Sequence, residues 1–177
     1  MILAAMVVAT MVVAYFVVEN AVKNTVEHQA IVDAEIVVAQ ATTARSVYAK
    51  EIAAKLQKDG TGPHVDFAQM PGFVPIPAQF LKMVGLATTE NTARLFEYKP
   101  VSKWNLEPTQ GLGDDFLAWA WPQLEKQDQA QPKGPINWQP VWRFESVGDK
   151  TVLRYLSADS ASQMSCVACH NAYEKRP

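Results

Sequence analysis

Hydrophobic positions follow different rules in successive parts of the chain. Residues 1–18, MILAAMVVATMVVAYFVV, are apolar on every face and carry no charge. At 1.5 Å per residue, such a run matches the shortest helix that spans a bilayer, roughly 18–20 residues, and it predicts a membrane anchor. A cleaved signal peptide would show a basic segment ahead of the run and a small-residue cleavage site behind it, and neither is present. A soluble core helix would not be apolar all round. The missing basic flank leads us to expect that the sequence begins inside a longer one. From Glu19 onward the pattern changes to apolar residues three and four apart: Val22, Val26, Ala30, Ala34, Val37 or Val38, Ala41, Tyr48, Ile52 and Leu56. No Pro or Gly interrupts them before Gly60, so one helix is expected over residues 19–58, leaving the membrane and continuing outward.

Gly60, Gly62, Pro63, Pro71, Pro75 and Pro77 then break helical periodicity. Phe67, Met70, Phe73, Val74, Ile76 and Phe80 in the same stretch argue for a loop that packs. A short helix is expected from Ala78, and TARLFEYKPVSKW alternates as a strand does. GLGDDFLAWAWPQLEKQDQAQ reads as a helix opened by Asp114 and Asp115 at its positive end, with Pro122 predicting a kink or a late start. VWRFESV and KTVLRYLSA flank a Gly-Asp pair suited to a primed two-residue turn, which makes them a hairpin. Arg143 and Glu145 share one face of it, as do Arg154 and Leu156. A long helix followed by a small antiparallel sheet with intervening helices is an α+β arrangement. It divides into an anchor at 1–18, an outward helix at 19–58 and a domain at 59–177.

Composition changes this picture little. The 177 residues carry a net charge of −2, and no cluster of Lys and Arg is interleaved with aromatics, so nucleic acid is not an expected partner. The chemistry is concentrated in CVACHN, residues 166–171, which holds the only two cysteines. A c-type haem needs two thiols, one for each vinyl group, and an imidazole next in sequence to bind the iron. Cys166, Cys169 and His170 supply all three. A thioredoxin-like dithiol would open a helix within a βαβ unit, which the pattern does not contain. A zinc site would need further ligands, and only the single, distant His28 and His64 remain. His28 reads as part of a solvated face. Because bacterial c-type haem is attached outside the cytoplasmic membrane, residues after the apolar run are expected in the periplasm.

The order of features resembles the periplasmic c-type haem sensor domains with a PAS-like fold, found in bacterial chemoreceptors, histidine kinases and cyclases, with stand-alone relatives in cyanobacteria. PGFVPIPA, ARLFEYKPVSKWN, DDFLAWA, VLRYLSAD and CVACHN carry the resemblance, which covers most of residues 30–173. It implies a haem lying against a small sheet with His170 as proximal ligand; a dimer through the N-terminal helix and a signalling role without catalysis are expected as well. It also implies a second span and an output module beyond this sequence, which would make the chain a fragment of a receptor. Some members use a separate cysteine as distal ligand, and this sequence has no third cysteine. Met70 and Met83 flank the place where it would fall, and His64 precedes the proline-rich loop. These three are the distal candidates, although each also reads as an ordinary core or loop residue; the alternative is an open site suited to a gas. Arg143 and Arg154 are expected near the haem propionates or, alternatively, on a solvated sheet face. The remaining functional alternative is a membrane-anchored electron carrier.

Overall fold

The structure is a computed structural model that describes residues 2–58, 60–91, 95–105, 108–130 and 136–160. The N-terminal helix is continuous from Ile2 to Lys58, in three pieces: α1 (Ile2–Val47), a π-helical turn (Tyr48–Ala53) and α2 (Ala54–Lys58). It is the one helix among the described residues long and apolar enough to cross a membrane. Residues 2–26 are exposed on every side. Beyond them the helix gains a covered face, where α1 packs on α3 (Pro77–Asn91) and on β4 (Lys150–Leu156).

The loop after α2 is ordered by a short parallel bridge between β1 (Gly62–Pro63) and β2 (Phe73–Val74), extended by the His64 N–H donating to the Val74 carbonyl at 2.9 Å. Pro77 occupies the first turn of α3, where its missing N–H costs no helical bond. The Gln79 side chain accepts the Ile76 N–H at 3.2 Å, which is half of a capping box.

The expected strand over residues 92–104 is not formed within its described part, 95–104. This segment's backbone is engaged elsewhere. The Tyr98 carbonyl lies so close over Gly85 of α3 that a Cβ there would collide with it, and the Ser102 N–H donates to the Gln110 carbonyl at 2.8 Å. The alternation read as a strand reflects packing against a helix rather than ladder pairing.

Asp114 caps α4 (Asp115–Ala130) by accepting the Leu117 N–H at 2.8 Å. The helix does not start late: it begins at Asp115 and carries Pro122 within it. Against α4 lies the hairpin of β3 (Val141–Val147) and β4, in the register Val141↔Leu156 through Val147↔Lys150. Gly148 turns it with φ 63°, as a primed turn demands. Phe116, Leu117, Ala120 and Leu124 of α4 form the buried core with Val141 and Leu156. The molecule is thus a mixed helix and strand structure with a long N-terminal helix and a small antiparallel sheet.

Candidate functional site

Strand alternation sends Val141, Arg143, Glu145, Arg154 and Leu156 toward α4. Arg143 and Arg154 are direct cross-strand partners, yet two like charges share this face because each is matched. The Arg143 Nε donates to Glu145 Oε1 at 2.6 Å, and Arg154 donates to Asp114 Oδ2 at 2.6 Å. Both guanidiniums also stack on α4: Arg154 lies 4.9 Å from the Phe116 ring centre, and Arg143 lies 4.9 Å from that of Trp119. Partial burial raises the Asp114 pKa, but the Leu117 N–H and the Arg154 charge outweigh it and hold the carboxyl below its usual range. The two arginines therefore join the hairpin to α4 and are not a free solvated face.

The opposite face of the hairpin carries Trp142, Phe144, Leu153 and Tyr155. Burial, with the nearby Glu35 charge of α1 adding to it, pushes the Tyr155 hydroxyl up to about 12.

After β4 the chain is clamped twice as it heads for the cysteine motif. Arg45 of α1, its side chain largely buried, pairs with Asp159 at 2.5 Å. The Trp138 indole donates to Ser160 Oγ at 3.1 Å. A cleft of about 460 Å³ lies at this junction, with Arg45 and Lys50 on one side and Ala158 and Asp159 on the other. Cys166, Cys169 and His170 lie outside the described residues. Cys166 follows Ser160 by six positions, which limits its reach to about 20 Å of extended chain from the clamp.

Two of the distal candidates, His64 and Met70, lie in the loop between α2 and α3, and the third, Met83, lies on α3. Met83 is 49% exposed on α3, on the side away from buried Leu81 and Gly85. Met70 is partly buried at the end of a 3₁₀ turn (Phe67–Gln69). His64 rests edge-on against Phe73, and its Nδ1 accepts the Asp66 backbone N–H at 3.0 Å. His28 is exposed on α1. Among the described residues no group of three His, Cys, Asp or Glu side chains is placed to hold a metal.

Comparison with known families matches residues 23–177 to the Tll0287-like family, described as Tll0287. The chain belongs to the Tll0287-like family. No curated protein and no solved structure matches it.

The Tll0287-like match begins at Lys23, just beyond the apolar run, and takes in the outer part of α1, every later element and the CVACHN motif. Sequence reasoning located the motif by residue type but missed the parts of this Tll0287-like domain that anchor the chain leading to it. Arg45 is one: a lone cation in the small-residue stretch ATTARSVYA of a helix otherwise read for its apolar spacing, which was the available signal. Tyr48 is another. Its hydroxyl donates to the Pro75 carbonyl at 2.6 Å while its ring stacks on Phe80 at 4.3 Å, and burial raises its pKa. It is the only Phe, Trp or Tyr in residues 19–58, which was the available signal.

Proposed function

We propose that this chain is the haem-bearing sensor domain of a membrane signal-transduction protein, with a c-type haem held through thioethers at Cys166 and Cys169 and with His170 as axial ligand. The observation that carries this reading is the C-x-x-C-H donor set inside a chain of the Tll0287-like family, a family known as cytochrome c-type haem sensor domains. Two thiols and an adjacent imidazole suit a porphyrin edge and its iron, whereas either half of the set alone would serve other chemistry equally well. The long apolar helix anchors the domain in the cytoplasmic membrane, and haem attachment places residues 19–177 in the periplasm. A PAS-like arrangement of the domain and pairing of two copies along α1 belong to the same reading.

When bound, the haem supplies an iron that changes oxidation state or takes a small gas on its second side. The chain's own residues determine where such an event is felt. Arg45–Asp159 and Trp138–Ser160 tie the segment before the motif to α1 and to the entry of the hairpin. A displacement of that segment is therefore passed to the helix that enters the membrane, and not only to the sheet. The arginines of the hairpin are already matched by Asp114 and Glu145, so a propionate bound there would displace a carboxylate from one of them. Lys50, in the cleft beside Arg45, has no ion pair among the described residues.

We take the sixth position to be open to a gas. The test is the absorption spectrum of the reduced, haem-loaded protein with and without carbon monoxide, repeated on Met70→Ala, Met83→Ala and His64→Ala. The expected result is a five-coordinate ferrous spectrum that carbon monoxide shifts in all four proteins. A six-coordinate spectrum that ignores the gas, and that one of these substitutions converts, would contradict the open site and leave redox state as the input.

A further inference from the structure

The helix from the membrane has one irregularity, and it falls where the helix docks. Tyr48–Ala53 form a π-helical turn, with the Ala54 N–H donating to the Ala49 carbonyl five residues back. Such a turn accommodates one residue more than the α-helix does. At its ends stand the contacts that fix the helix to the domain: the Tyr48 hydrogen bond to Pro75, its stack on Phe80, and Ala49 and Ala53, each only 3% exposed.

The extra residue changes which side chain faces inward. An α-helical pattern running through Ala41 and Tyr48 puts Ile52, four positions on, beneath the domain. The π turn gives that place to Ala53 and leaves Ile52 46% exposed. A branched apolar side chain thus meets solvent while its neighbour's single methyl is buried. The α register would reverse the two and restore ordinary helical bonds. It would also disturb the alignment of Tyr48 with Pro75 and Phe80. Each register therefore satisfies something that the other forgoes.

We infer that residues 48–53 are a register switch in this helix: conversion of the π turn to α exchanges Ala53 for Ile52 at the docking face and turns α1 relative to α2 by about 100°, the angle of one residue. An exchange of two packings is a discrete change, the kind that a site can bias and a membrane helix can carry. Its coupling to haem state rests on the reading proposed above.

Single-cysteine variants Ile52→Cys and Ala53→Cys of the full haem-loaded chain, treated with iodoacetamide, read the register directly, since thioether formation consumes both native cysteines. In the oxidised protein Ile52→Cys should react at least about tenfold faster than Ala53→Cys, a ratio equivalent to ~1.4 kcal/mol of protection. After reduction, removal of the reductant under argon and addition of carbon monoxide, the gas of the reading above, the ratio should invert. A ratio that is the same in both states overturns the proposal. Label found on Cys166 and Cys169 would instead overturn the haem reading, so the two failures are distinguishable. A second variant removes the extra residue: Lys50 is exposed, and deleting it should give a folded, haem-loaded chain in which Ile52→Cys is protected in both states. Loss of fold or of haem in that variant would show that the α register is inaccessible and would overturn the proposal equally.

Discussion

Asp114 concentrates several roles in one carboxylate. One oxygen accepts the Leu117 N–H and caps α4, while the other takes Arg154 of β4, so the helix start and the hairpin are joined through a single side chain. The two roles separate by substitution. Asp114→Asn keeps a capping oxygen but loses the charge, and it should cost less than Asp114→Ala, for which about 1 kcal/mol is expected from the cap alone. Chemical denaturation of both variants measures the difference, and equal losses would show that the cap contributes nothing separable. The same contacts set a pH dependence. The folded Asp114 pKa lies below its unfolded value, so its contribution is fully present above the unfolded value, about 3.9, and is lost as pH falls through the lower folded one. Wild-type stability should therefore fall more steeply than that of Asp114→Asn as pH drops below about 4. The capping aspartate was legible from DDFLAWA because an Asp just ahead of an apolar helical run has a specific physical task. Its ion pair with Arg154 was not, because forty positions separate them and only the fold closes that distance.

Among the elements, those specified by local rules were readable and those specified by a neighbour were not. The β3–β4 hairpin announces itself through two alternating runs and a Gly-Asp turn, all contained in the stretch that folds. The segment 95–105 alternates in the same way, yet it lies on α3 because Gly85 lets the Tyr98 carbonyl approach. An isolated glycine inside the helical run LKMVGLATT was the only sign of that approach. Gly85→Ala makes the point measurable. In an uncrowded helix the change would stabilise by ~1 kcal/mol. Here the added Cβ meets backbone rather than a flexible side-chain tip, so a net loss of about 1–3 kcal/mol is expected, as for overpacking elsewhere. A Gly85→Ala variant that melts higher than wild type would refute the close approach. The π turn escaped sequence reasoning for a related reason. Apolar spacing was read at 3.6 residues per turn, which put Ile52 inside, and a single added residue leaves no compositional trace.

At the scale of the molecule, the apolar run and the domain are separable. Residues 2–26 are exposed on all sides and contribute nothing to the core around Phe116. Replacing residues 1–18 with a cleavable export signal should therefore release the chain from membranes and leave its melting temperature unchanged; a marked drop would mean that the run packs on the domain. A hairpin, two packed helices and a long apolar helix would serve many ends, so the fold alone does not supply the function. The haem proposed for CVACHN is covalent, and the intact mass of the denatured chain reads that bond out. Protein exported in cells carrying the c-type maturation machinery should show the polypeptide mass plus one haem, surviving acid-acetone extraction, and Cys166→Ala with Cys169→Ala should return it to the polypeptide mass. A wild-type chain recovered at the bare polypeptide mass under those conditions would contradict the account.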